Sequence, residues 1–230
     1  SLDFEALASF KRKILAIGAD GNDVLRANSN NDTLVGGRGA DSLFGGAGVD
    51  FLIGGGAGND TVGDYLDGGT GDDALAFYGE DDLENDTVLG GIGRDTLRME
   101  TGGAALTLLD VAFRGVSGME TLALNGTGVQ AVTLGSNANA AFSDAVTVTT
   151  IASATALLLD GTSFDGNISS RGTNNNDSLV GGVRSDTLIG GSGNDTIRGG
   201  AGNDGVDGGF GDDVLVFNSA EDLDGDATVM

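Results

Sequence analysis

The stretch GGRGADSLFGGAGVDFLI, residues 36–53, decides the fold. It holds two perfect copies of a nine-residue unit, G-G-x-G-x-D-x-U-x, in which U is a large aliphatic residue, Leu43 and then Leu52. The last three residues of each copy alternate around that apolar centre, a minimal strand with one side chain facing inward. The first six are Gly and small polar residues ending in Asp41 or Asp50. They predict a turn with several positions at φ > 0, a region glycine enters without steric cost. One copy is therefore half a coil, turn plus strand, and two copies complete a coil of a flattened parallel solenoid.

The unit recurs on both sides of this stretch. Before it stand GADGNDVLR (18–26) and a degenerate ANSNNDTLV (27–35), whose Asn28 and Asn30 are expected to take the φ > 0 positions in place of glycine. After it come GGAGNDTVG (55–63), displaced by the extra Gly54, a loop of Asp64, Tyr65, Leu66 and Asp67, and GGTGDDALA (68–76). DDLENDTVL (81–89) keeps only the second half of the pattern, and GGIGRDTLR (90–98) restores it. A second block runs GTNNNDSLV (172–180), GGVRSDTLI, GGSGNDTIR, GGAGNDGVD and GGFGDDVLV (208–216). The apolar position (Leu25, Leu34, Leu43, Leu52, Leu179, Leu188, Ile197) is assigned to the core.

These nonapeptides resemble the repeats of the RTX family, which bind calcium. The resemblance implies an all-β fold, a parallel β-roll or β-solenoid with calcium-binding turns. It covers about 130 of the 230 residues.

The charge has the matching distribution. There are 35 acidic residues against 11 basic ones, a net charge of −24, with 43 Gly and no Pro, Cys, His or Trp. Of the acids, 27 fall in 18–98 and 172–230 and 8 elsewhere, so the charge follows the repeats and is not a general solubilising coat. This balance argues against nucleic acid as a partner and in favour of cations. No stretch reaches the ~18 apolar residues of a membrane span, so no membrane insertion is expected. A flexible Gly-rich linker would lack the regular aliphatic position.

Residues 99–171 differ in kind, with six acids and many Thr, Ala and aliphatic residues. Candidate strands are 121–125, 131–134, 145–151, 156–160 and 167–169, separated by NGTG, GSNANA and DGTS, which read as turns. A wider β-solenoid that continues the ladder is preferred to a sandwich, because it exposes no sheet edge. Ser9, Phe10, Ile14, Gly18 and Asp23 recur as Ser163, Phe164, Ile168, Gly172 and Asp177, at a constant offset of 154. GDDALAF (71–77) likewise recurs as GDDVLVF (211–217). The chain thus reads as one and a half copies of a longer unit, a piece of a repetitive protein. The expected organisation is the end of a preceding solenoid unit over 1–17, a first repeat block over 18–98, a calcium-free solenoid-like spacer over 99–171, and a second block over 172–230.

In a solenoid whose half-coil is nine residues, units two apart sit one above the other, about 4.8 Å apart. Asp23 then stacks on Asp41, Asp32 on Asp50, Asp177 on Asp195, Asp186 on Asp204, and Asp195 on Asp213. Bare like charges at that spacing repel by roughly 3–4 kcal/mol at an effective dielectric of 20. A lone Asp in a turn is an ordinary capping residue; a dozen in register call for a cation between them. Ca²⁺ fits, since it takes six to eight oxygens from carboxylates and carbonyls. Zn²⁺ and copper would favour the His and Cys that are missing. The candidate ligands are Asp23, Asp32, Asp41, Asp50, Asp60, Asp73, Asp95, Asp177, Asp186, Asp195, Asp204 and Asp213. The RTX resemblance adds turn carbonyls, here those of Gly36, Gly37, Gly39, Gly45, Gly46, Gly48, Gly190, Gly191, Gly193, Gly199, Gly200 and Gly202. Arg184 and Asn175 occupy glycine positions and mark weaker sites. Asp222–Asp226 echoes an EF-hand loop but has Gly misplaced and no closing Glu.

No catalytic constellation emerges, and no enzyme activity is expected. The resemblance implies a secreted protein, exported unfolded by a type I system and folding on extracellular calcium. GVSGMETLALNGTGVQAVTLG (115–135) looks like segments of RTX-bearing surface-layer proteins and adhesins. The leading expectation is therefore a calcium-dependent structural module at the bacterial cell surface, self-associating or attached there. The alternative is the non-catalytic module of a secreted protease, lipase or alginate epimerase.

Overall fold

The computed structural model describes residues 12–55, 62–151 and 153–217. Candidate ligand Asp60, the Asp222 loop and most of 1–17 lie outside them. The chain forms two compact units, residues 1–100 with 111–121 and residues 101–110 with 122–230. Each is a parallel β-solenoid.

In the first unit, strands alternate between two sheets as the chain winds. One sheet takes Leu15–Ile17, Thr33–Gly37, Phe51–Gly55, Ala74–Phe77 and Thr96–Gly102 in that order. The other takes Val24–Arg26, Ser42–Ala47, Tyr65–Thr70, Thr87–Ile92 and Val116–Ser117. The aliphatic position of the repeat sets the register. Leu34, Leu52, Leu75 and Leu97 stack in one column, and Leu25, Leu43, Leu66 and Val88 in the other. All eight are 0 % exposed. Each such burial stabilises by about 1.5–3 kcal/mol, and a slip of one residue would turn a whole column to solvent.

The second unit repeats the scheme. Thr121–Gly126, Ala145–Thr150, Asn167–Arg171, Thr187–Ser192 and Gly205–Phe210 follow one another in one sheet. Leu106–Leu108, Val129–Thr133, Ala156–Asp160, Ser178–Val180, Thr196–Arg198 and Val214–Val216 do so in the other. The residues between 99 and 171 thus wind as parallel coils, as the preference for a solenoid requires. The offset of 154 is structural too, for Leu15 pairs with Thr33 as Ser169 pairs with Thr187.

Four local expectations need correction. GSNANA is not a turn: Ser136–Phe142 is a helix that buries Ala138, Ala141 and Phe142. The signal it lacked locally comes from elsewhere, because Asp110 accepts from the backbone N–H groups of Gly135, Asn137 and Ala138 at 2.8, 3.1 and 2.9 Å. Asn28 and Asn30 do not take positive φ; among the described non-glycine residues only Ser143 does. Asn28 instead accepts the Asn30 N–H with its side chain at 2.9 Å, which closes a different turn. Two strands are offset or longer than expected, Val129–Thr133 and Asn167–Arg171. Finally, Asp64, Tyr65, Leu66 and Asp67 are not a loop: Tyr65–Thr70 is a strand, and the register resumes at Asp64. Leu66 is fully buried between Leu43 and Val88, whereas Val62, the aliphatic residue of the displaced copy, is 51 % exposed. The larger side chain, Leu66, holds the core position.

Candidate metal centre

The repeated Asp ends each turn and enters each strand, so the coil-to-coil pairing of the strands brings successive Asp residues together. In the first unit two ladders result. The N–H of Asp23 donates to Asp41 Oδ1 (2.7 Å), that of Asp41 to Asp64 Oδ1 (2.7 Å), and that of Asp64 to Asp86 Oδ1 (2.7 Å). In the other row Asp32, Asp50, Asp73 and Asp95 follow at 2.7, 2.8 and 2.8 Å, and the N–H of Asp95 donates to Glu120 Oε2 at 2.6 Å. In the second unit Asp177, Asp195 and Asp213 are linked at 2.8 and 2.9 Å, and Asp186 and Asp204 at 2.9 Å. All five stacked pairs expected from the spacing are thus brought together.

Three members of these rows escape a reading by consensus. Asp64 and Asp86 lack the six-residue glycine turn, and Glu120 is not Asp. The available signal was the second half of the motif, Asp64-Tyr-Leu-Asp and Asp86-Thr-Val-Leu, each followed by Gly-Gly.

One carboxylate oxygen per Asp serves the ladder. The other is the site. Oδ2 of Asp50, Asp73, Asp95 and Asp195 is buried and has no hydrogen-bond partner. These residues are at most 1 % exposed. An unpartnered buried carboxylate oxygen costs several kcal/mol unless something positive meets it. What faces it is a carbonyl. A Cβ placed on Gly45 would lie 2.6 Å from Asp50 Oδ2 and 2.5 Å from the Gly68 carbonyl oxygen. On Gly68 it would lie 2.6 Å from Asp73 Oδ2 and 2.5 Å from the Gly90 carbonyl oxygen. At Gly190 the corresponding pair is Asp195 Oδ2 and the Gly208 carbonyl oxygen. Glycine at the first position is what leaves this oxygen-lined space open. The second and fourth glycines shape it: Gly46 at φ 99° and Gly48 at φ 128° hold a backbone that L side chains rarely adopt.

Electrostatics point the same way. Burial pushes the carboxyls of Asp50 and Asp95 up to about 6 from 3.8, against the lowering effect of the N–H bonds from Asp32 and Asp73, with neighbouring carboxylates adding to the rise. Asp73 and Asp195 are raised for the same first reason. No group of three or more acidic side chains converges among the described residues, so the oxygens available at each point are carboxylate and main chain together. That donor set suits a hard cation such as Ca²⁺.

A family model for the RTX calcium-binding nonapeptide repeat, four copies long, matches residues 17–52, 27–62, 82–97, 171–204 and 180–215. The chain carries the RTX calcium-binding nonapeptide repeat. No curated protein matches it. The RTX matches take in Asp23, Asp32, Asp41, Asp50, Asp86 and Asp95 of the first unit's ladders and all five ladder aspartates of the second. They leave out 63–81, with Asp64 and Asp73, and the interval 98–170, where the coils contain no glycine turn of this type. No helix among the described residues is long and apolar enough to cross a membrane.

Proposed function

We propose that this chain is a calcium-dependent structural module of a secreted bacterial surface protein of the surface-layer or adhesin type, folding as it meets extracellular calcium. The observation that carries the reading is the set of buried, unpartnered Oδ2 atoms of Asp50, Asp73, Asp95 and Asp195, each opposed to a glycine carbonyl of the next coil. A chain with a net charge of −24 and 43 Gly resists collapse until those carboxylates are neutralised. Ions held in the turns of 18–98 and 172–230, with the residues between as an ion-free spacer, supply that neutralisation. Recurrence of one pairing scheme at an offset of 154 favours a repetitive surface protein over the appendage of a secreted enzyme. Self-association or attachment at the cell surface is the role assigned to the folded form, and no catalytic step.

Circular dichroism during a calcium titration tests the reading. The chain in excess chelator is expected to be largely disordered and to become β-rich at roughly 0.1–10 mM calcium, the range of extracellular calcium modules. A β-rich, thermally stable protein in chelator overturns it.

A further inference from the structure

The repeat turns that end at ladder aspartates fall into two classes by backbone conformation. Seven glycine turns, those ending at Asp41, Asp50, Asp73, Asp95, Asp195, Asp204 and Asp213, have positive φ at both their second and fourth residues. Four others do not, and in each of these the second residue turns its N–H onto the carboxylate. Ala19 N–H donates to Asp23 Oδ2 at 2.8 Å and Asn28 N–H to Asp32 Oδ2 at 3.0 Å. Thr173 N–H donates to Asp177 Oδ2 at 2.6 Å, and Gly182 N–H to Asp186 Oδ2 at 2.6 Å. The other oxygen is taken too. Asp32 Oδ1 accepts from Ile14 N–H at 2.6 Å, Asp177 Oδ1 from Leu157 N–H at 2.5 Å and Asp186 Oδ1 from Ile168 N–H at 2.6 Å. The coil on that side thus presents Ile14, Leu157 and Ile168, all buried, where the ladder elsewhere has a carboxylate.

We infer that the first coil of each block, closed by Asp23 and Asp32 and again by Asp177 and Asp186, is ion-free: main-chain N–H groups stand where calcium stands in the later turns. The inference rests on the calcium reading above and narrows it. An N–H dipole aimed into the oxygen cradle satisfies the carboxylate and repels a cation from the same place. The turn ending at Asp186 shows what selects the class. It keeps Gly181 and Gly182, and a Cβ on Gly181 would meet Asp186 Oδ2 and the Gly199 carbonyl oxygen, the same cradle as elsewhere. Its fourth residue, however, is Arg184, which has no access to the positive φ that glycine provides there. The turn takes another shape and Gly182 N–H points inward. Each block then begins with a coil whose carboxylates accept main-chain N–H groups, and this coil presents the first ordered edge on which ion-binding turns stack.

Counting bound calcium on the full chain by calorimetry and by metal analysis after dialysis tests this. Asp186→Asn is expected to keep the wild-type count while Asp195→Asn loses calcium; equal losses overturn the inference. A misfolded Asp186→Asn chain would lose calcium for a trivial reason, so the converse variant is decisive. Arg184→Gly restores the glycine pattern and is expected to bind about one further ion per chain; an unchanged count overturns the inference. If the wild-type chain itself binds no calcium, the functional reading fails, and with it the premise of this one.

Discussion

At the scale of single residues, Asp195 is the most informative position. It accepts the Asp177 N–H with Oδ1, donates its own N–H to Asp213, and leaves Oδ2 open to a cation. Asp195→Ala is expected to lose more calcium than Asp213→Ala, which follows it in the row, and calorimetric ion counting checks the order. Asp160→Ala, which removes a carboxylate that accepts from the exposed Thr162 and lies outside the ladders, should leave the count unchanged. The same carboxylates set the pH dependence. Because Asp50 and Asp95 titrate near 6 when folded and ion-free, against 3.8 unfolded, protonation favours the folded form. The stabilisation is complete below pH 3.8 and is lost as pH rises through about 6. In chelator, residual β structure should therefore increase as pH falls through this window. Calcium affinity should fall in the same window, since protons compete for the same oxygens. Opposite trends, read by circular dichroism and by calcium titration at several pH values, are the expected pattern.

At the scale of elements, the sequence was most transparent where one residue type answers to one physical requirement. A large aliphatic residue at the eighth position of the unit and Asp at the sixth defined strand, register and ladder, because side-chain alternation admits only one inward face. The glycine turns were legible for the same reason. What was not legible depends on partners far along the chain. Asp64 joins the row because Leu66 fills the column between Leu43 and Val88 while Val62 is exposed, a comparison of two candidate core residues that the glycine consensus hides. The N–H caps on Asp23, Asp32, Asp177 and Asp186 were invisible as well, since they depend on φ at the second turn position. The helix Ser136–Phe142 has the composition of a loop, and its N-terminal N–H groups find their acceptor in Asp110, more than twenty residues earlier. Asp110→Ala leaves those donors unmet and is expected to cost about 1–3 kcal/mol. Chemical denaturation in saturating calcium measures it, with no change in the number of bound ions.

At the scale of the whole molecule, the question is whether calcium acts as a ligand or merely as a screen for a chain of net charge −24. The two accounts separate by ionic strength. At about 1 M monovalent salt the Debye length falls to roughly 3 Å, shorter than the spacing between stacked carboxylates, so repulsion across the ladder is largely screened. Screening does nothing for Asp50, Asp73, Asp95 and Asp195, whose Oδ2 atoms are buried and unpartnered; those need a cation inside the cradle. Sodium chloride near 1 M should therefore leave the chain largely disordered in chelator, whereas millimolar calcium at low ionic strength folds it. Magnesium should be a poor substitute, because it demands near-octahedral geometry and releases its water reluctantly, and the cradle offers carbonyls and carboxylates at fixed backbone positions. Circular dichroism under these three conditions decides the matter. Folding in sodium chloride alone would reduce the ladders to a charge-repulsion problem and remove the reason for a glycine at the first position of every ion-binding turn.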